Sequence, residues 1–168
     1  PNPDLSLFIY NDKRVFHDRV VVIINGTDFD IRLTIDDIPL LINDLEASVK
    51  ALIGKIKSGL PREDIANILV ENQSGLASYG YMALNRIFPK QALDFIDLNL
   101  KSLGENVKFP VLEIASDFFL TPWEWLYNIP PQKAETTSLL SAMRPFWGIS
   151  YIISRMDPPG KSRPYSYS

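Results

Sequence analysis

The sequence predicts an α/β fold of mixed strands and helices. Residues 20–24 are five β-branched aliphatic residues in a row, followed by the turn-forming pair Asn25-Gly26. Residues 42–56 carry apolar side chains at the three- and four-residue spacing of an amphipathic helix. Residues 109–115 form a second apolar run with the length of a buried strand. Strands on either side of a helical region favour a mixed fold over an all-α or all-β one.

The first element is predicted to be a hairpin. Asn25 and Gly26 both tolerate the positive φ of a type I′ turn. Residues 30–35 then alternate apolar and polar side chains, as a half-buried strand does. Residues 7–10 are a candidate third strand.

The first long helix is predicted to begin near Asp36 and Asp37, which can cap its N-terminus, and to end before Gly59. Pro61 is expected to open another, short helix. Residues 74–81, rich in Gly, Ser and Tyr, are expected to interrupt the helical region.

Helical structure is predicted to resume at residues 81–88 and to stop at Pro89. A further helix is expected over residues 91–103, with Gly104 as its terminator. Its apolar positions share one helical face.

A capping box is predicted where Thr121 and Pro122 precede Trp123 and Glu124. The Thr121 side chain can accept from the amide of the third helical residue, while Glu124 reaches back. A short helix over residues 122–127 should follow. We interpret Trp123 as a core anchor and Glu124 as a structural carboxylate.

The remaining segments suggest a polar loop over residues 128–141 and a last strand over residues 146–155. We predict three regions: an N-terminal hairpin with helices over residues 1–73, a leading segment of a larger unit over 74–156, and a proline-rich linker or tail over 157–168.

Composition narrows the class of protein. Of 168 residues, 46% are hydrophobic and 22% are charged, which is typical of a globular chain. The net charge is −3, so no broad basic face for nucleic acid is implied. No apolar run reaches the ~18–20 residues that span a bilayer, and no signal peptide is visible. We therefore expect a cytoplasmic protein that contacts neither membrane nor nucleic acid.

Candidate catalytic and metal-binding residues are few. The chain has no cysteine and one histidine, His17, which we interpret as a surface strand residue. Asp28, Asp30, Asp36 and Asp37 lack the ligand spacing of a calcium loop, and turn formation and helix capping account for them. No glycine-rich phosphate loop follows a strand. We predict no catalytic residue, no metal site and no cofactor.

An aromatic cluster surrounds the capping box and has two interpretations, core packing or ligand binding. We favour core packing. Its members are Phe118, Phe119, Trp123, Trp125 and Tyr127.

Three features in a row resemble the front part of CHAT domains, a family of caspase-like cysteine peptidases often fused to tetratricopeptide repeats. The resemblance covers roughly residues 75–155. Its features are Phe88-Pro89 followed by a helix and the strand 111–117, the stretch 121–127, and Phe146-Trp147-Gly148-Ile149 with Ile153-Ser154-Arg155. The middle stretch is similar to the family's I-P-W-E-L-L-Y, with Thr121 in place of an aliphatic residue and Trp125 in place of a leucine.

The resemblance implies the leading part of a caspase-like α/β unit whose catalytic half is absent. In the family, the catalytic histidine and cysteine lie downstream of this strand and of a proline-rich connector. No catalytic residue of the family maps onto this chain; Thr121, Pro122, Trp123, Glu124 and Arg155 match motif positions that we interpret as structural. We therefore expect a non-catalytic segment that supports the catalytic half and links it to a sensor protein in regulated proteolysis and signalling.

Two other functions stay open. A free-standing adaptor for protein–protein interactions would be stable alone, whereas a segment of a peptidase would expose apolar surface where its other half packs. A small enzyme that uses acidic residues ranks last, since no pair of carboxylates has a spacing that demands it.

Overall fold

A computed structural model describes residues 3–11, 20–24, 27–31, 37–104, 106–116, 122–134 and 137–156. These residues divide into two compact units. The sheet unit comprises the described residues of Pro1–Ile35, Phe88–Leu120 and Ile152–Ser168. The helical unit comprises those of Asp36–Ile87 and Thr121–Tyr151.

The sheet unit is built on one five-stranded mixed sheet. Its strands are β1 (Leu5–Asn11), β2 (Val20–Ile24), β3 (Thr27–Ile31), β4 (Val111–Ser116) and β5 (Ile152–Met156). They lie in the order β3-β2-β1-β4-β5; β1–β2 and β2–β3 are antiparallel, while β1–β4 and β4–β5 are parallel. The protein thus contains both this sheet and several helices, which confirms the predicted mixed α/β fold.

The hairpin prediction is confirmed in its strands, because β2 pairs with β3 and β1 is the third strand. Its second strand begins at Thr27, three residues before the predicted start, and is described as far as Ile31; the rest of the predicted strand, residues 32–35, lies outside the described residues. The turn residues Asn25 and Gly26 lie outside the described residues.

Burial in the sheet unit follows the period of two that a strand imposes. Leu5, Leu7 and Ile9 alternate along β1 and are all buried. Helix α3 (Lys90–Ser102) contacts β1 and buries Ala92 and Ile96. The helix ends as predicted before Gly104, whose φ of 74° suits glycine.

The helical unit begins with α1 (Asp37–Lys55) and α2 (Arg62–Ile87), which pack against each other. The expected interruption at residues 74–81 is wrong, because these residues lie inside α2, which is helical over all of its 26 residues. Its buried residues lie on one face, and burial of that face outweighs the low helix propensity of two glycines. Residues 73 and 74, the expected domain boundary, are neighbours inside this helix.

The end of the chain also differs from expectation. Residues 128–141 contain a 3₁₀ turn at Pro131–Lys133 and the start of α4 (Leu139–Met143), so they are not one loop. The predicted strand 146–155 is half wrong: α5 (Trp147–Ser150) occupies its first part, and β5 begins only at Ile152. Tertiary packing of Phe146 and Trp147 determines this local conformation.

Candidate functional site

The residues that carry the family resemblance in the helical unit form two short segments, here called the tryptophan segment (residues 122–128) and the return segment (residues 145–151). A 3₁₀ turn at Trp123–Trp125 opens the tryptophan segment. The Trp125 N–H donates to the Pro122 carbonyl at 3.0 Å, and the Leu126 N–H donates to the Trp123 carbonyl at 3.2 Å. Three residues cannot hold such a turn alone, so its stability must come from contacts elsewhere.

Main-chain hydrogen bonds join the two segments. Tyr127 and Phe146 form an isolated antiparallel bridge. The Trp147 N–H donates to the Leu126 carbonyl at 2.9 Å, and the Asn128 N–H donates to the Pro145 carbonyl at 3.1 Å. The motif residues are therefore held by a short two-stranded structure. It contains too few residues for a periodic sequence pattern to indicate it.

Aromatic side chains fill the space between the segments. The Phe146 ring meets Tyr127 at a centroid distance of 4.7 Å and Trp125 at 5.4 Å, both edge to face. Trp147 meets Tyr151 at 5.8 Å in the same manner. Trp123, Tyr127, Phe146 and Trp147 are all buried. Edge-to-face pairs of buried rings contribute about 0.5–1.5 kcal/mol each beyond area burial.

Buried polar atoms in this region are paired. The Tyr127 hydroxyl donates to the Ala142 carbonyl at 2.8 Å, and Gln73 Nε2 donates to the same carbonyl at 3.3 Å. Burial raises the pKa of Tyr127, and a hydrogen bond with the Gln73 side chain partly offsets that rise. Tyr127 is consequently a neutral structural donor near neutral pH.

Asn128 connects the two segments through its side chain. Its Oδ1 accepts from Trp147 Nε1 at 2.7 Å, and its Nδ2 donates to the Tyr151 hydroxyl at 2.9 Å. The indole N–H of a buried tryptophan needs such an acceptor. Asn128 therefore fixes the position of the Trp147 ring.

Gly80 brings the backbone of α2 against the tryptophan segment. A Cβ at this position would overlap the Trp125 carbonyl oxygen and stand 3.2 Å from the Tyr127 nitrogen. Only glycine lets the helix and the 3₁₀ turn approach this closely. Sequence reasoning assigned Gly80 to a loop and missed this role.

The predicted motif residues have different outcomes. Trp123 is 1% exposed, which confirms it as a core anchor. Thr121 lies outside the described residues, and Pro122 caps the 3₁₀ turn without a side-chain hydrogen bond. Glu124 lies in the turn and is half-buried, and Arg155 belongs to β5 in the sheet unit.

The aromatic cluster is only partly a core. Trp123 and Tyr127 are buried, whereas Phe118 and Phe119 lie outside the described residues. Trp125 is half-buried and lines an apolar cavity of about 230 Å³ together with Met143, Phe146 and Ile149. The ligand-binding interpretation therefore concerns Trp125 alone among the described members.

Among the described residues, the acidic side chains form no assembled site. His17 and Asp36 lie outside the described residues, while Asp28 and Asp30 are in β3 and Asp37 begins α1. Within the described ranges, no three His, Cys, Asp or Glu side chains come together as metal ligands. In the same residues, no helix is both long and apolar enough to cross a membrane.

Comparisons with protein-family models, with curated proteins and with solved structures give no match to this chain. The similarity of its motifs to those of CHAT domains therefore stays a prediction from the sequence.

Proposed function

We propose that this chain is the non-catalytic N-terminal segment of a CHAT-type caspase-like cysteine peptidase, and that it supports the catalytic half at the open edge of β5. The observation that carries the proposal is the direction in which the parallel part of the sheet extends. The three parallel strands β1, β4 and β5 occur in the same order along the chain and across the sheet. A further parallel strand from the catalytic half would add at β5.

Hydrogen bonds identify the open side of β5. The Ile152 N–H donates to the Pro110 carbonyl at 2.9 Å, so Ile152 faces β4. The Val111 N–H of β4 points to the opposite side, toward β1, because it donates to Asp4 Oδ2 at 2.8 Å. Peptide groups alternate sides along a strand, so the Ile153 N–H faces away from β4. No described strand pairs with that side of β5.

Exposed apolar side chains accompany the open edge. Ile152 is 55% exposed and Met156 is 47% exposed. An edge strand with exposed apolar residues is a template for the addition of another strand. This arrangement supports the proposal over a free-standing adaptor, which would be expected to protect such an edge.

The chemistry of the family assigns the reaction to the other half. Amide hydrolysis by a cysteine peptidase needs a thiolate activated by a histidine, and this chain has no cysteine. Its own contribution is to hold the sheet onto which the catalytic strands add. Purified alone, the chain is expected to turn over no peptide substrate.

Two proline substitutions in β5 test the proposal. The chain is co-expressed with the His/Cys segment encoded beside it, and association is measured by sedimentation and by peptidase activity. Ile153→Pro removes only the outward N–H, which an edge strand tolerates. It should leave the melting temperature nearly unchanged and weaken association at least tenfold. Ile152→Pro, the matched control, breaks the bond to Pro110 and should lower the melting temperature.

Equal association of Ile153→Pro and wild type would contradict the role of the β5 edge. A native polypeptide of 19.1 kDa with no His/Cys segment encoded beside it would contradict the peptidase proposal and favour the adaptor.

A further inference from the structure

A second cavity of the helical unit, of about 430 Å³, has the composition of an anion site. It is formed where the tryptophan segment and the following 3₁₀ turn meet α4 and the return segment. Its lining residues are Asn128, Ile129, Lys133, Ser141, Arg144, Pro145 and Ser150. The volume is within the range of sites for small organic ligands.

The charge of this cavity is opposite to that of the chain. Lys133 and Arg144 line it, and none of its described lining residues is a carboxylate. Neither cation forms an ion pair with another described residue. In a chain of net charge −3, two cations that line one cavity without a described counter-charge favour an anionic ligand.

A hydroxyl donor completes the polar side of the cavity. Ser138 Oγ accepts from the Ser141 N–H at 3.1 Å and donates to Ser141 Oγ at 2.9 Å. The hydroxyl proton of Ser141 is therefore left to donate to a ligand oxygen. Ser150 donates its own proton to the Arg144 carbonyl, which fixes the backbone that carries the guanidinium.

The backbone that carries the two cations is also ordered by hydrogen bonds. The Lys133 N–H donates to the Pro130 carbonyl at 2.9 Å, and the Arg144 N–H donates to the Leu140 carbonyl at 2.9 Å. Ile129 and Pro145 add an apolar wall. A cavity with charged and apolar walls suits a ligand that has both parts.

We propose that this cavity binds a small organic anion, in which a carboxylate or phosphate group is attached to a compact apolar body. Lys133 and Arg144 would pair with the oxyanion, Ser141 would donate to it, and Ile129 with Pro145 would contact the apolar body. The proposal does not depend on the β5 edge and holds whether or not the chain belongs to a peptidase.

Calorimetric titration of the full chain at low salt tests the proposal with three probes of one shape: phenyl phosphate, benzoate and benzyl alcohol. At least one anion should bind with a Kd below about 1 mM, and the neutral alcohol should bind at least tenfold more weakly. The stronger of the two anions identifies the oxyanion.

Charge-removing variants locate the binding. Arg144→Gln and Lys133→Gln should each raise the Kd of the bound anion about tenfold or more, because a charge-assisted hydrogen bond is lost. Arg86→Gln removes the same charge from an exposed position on α2 and should change the Kd less than twofold. Thermal melts verify that all three variants fold.

Three results would overturn the inference: no anion binding at about 10 mM, equal binding of benzyl alcohol, or equal weakening by Arg86→Gln and Arg144→Gln.

Discussion

In the sheet unit, hydrogen bonds between neighbouring strands fix the register, whereas in the helical unit side chains fix elements too short to hold themselves. β1 pairs with β2 on one side and with β4 on the other over five residues each. The 3₁₀ turn at Trp123–Trp125 and helix α5 have only three and four residues. Their order therefore depends on the buried aromatic rings between them.

The difference indicates which substitutions should destabilise each unit. A strand whose partners lie on both sides loses little when one side chain is trimmed at its exposed face. A short turn that rests on one buried ring loses its support when that ring is removed. Substitutions in the helical unit should thus have effects that spread along the tryptophan and return segments.

Trp123→Ala is expected to cause the largest loss of stability in the helical unit. Truncation of a buried tryptophan costs roughly 3–5 kcal/mol of unfolding free energy, because a cavity replaces the ring. Glu124→Ala, next to it and only half-buried, should cost less, about 1–2 kcal/mol, because a smaller part of its surface is removed from water. Urea unfolding of both variants beside wild type measures the two values.

If Trp123→Ala melts within a degree or two of wild type, the aromatic cluster is not the support of the helical unit. A binding role for these residues would then be the better interpretation.

Gly80→Ala should have an intermediate effect that separates packing from helix propensity. The added Cβ meets the Trp125 carbonyl oxygen, so the helix or the turn must move, at a cost of about 1–3 kcal/mol. Gly75→Ala is the matched control on the same helix, where nothing lies within 4 Å of the new Cβ. It should stabilise α2 by about 0.5–1 kcal/mol. Equal shifts of the two variants in urea unfolding would refute the close approach at Gly80.

Tyr127→Phe should have the smallest cost, about 1 kcal/mol near neutral pH, because one hydrogen bond to the Ala142 carbonyl is lost while Gln73 still donates to that carbonyl. The pH dependence is the sharper test. Burial raises the pKa of Tyr127 above its usual value of 10.0, so above that pH the unfolded chain releases a proton that the folded chain keeps.

The stability that Tyr127 contributes is therefore complete below pH 10 and declines as pH rises toward the folded pKa. Unfolding free energies of wild type and Tyr127→Phe, measured between pH 8 and about 11, should converge as pH rises. Parallel curves would show that the hydroxyl is not held in a buried site.

Local patterns were sufficient for elements whose residues share one periodic face. The apolar spacing of α3 and the position of Gly104 gave its bounds within one residue. The apolar run before Ser116 predicted β4. The dense aromatic stretch around Trp123 predicted that this residue lies in the core. In each of these cases, the conformation that the local sequence favours is also the one found in the structure.

Only the tertiary structure decided the conformation of α2, α5 and the order of the sheet. Gly75 and Gly80 disfavour a helix locally, yet the buried face around Leu76 and Ala83 keeps α2 continuous. Trp147 begins a helix inside an apolar run because its N–H donates to Leu126 and its ring to Asn128. Such partners are distant in the sequence, and the pairing of β1 with β4 joins residues separated by about a hundred positions, which no local pattern records.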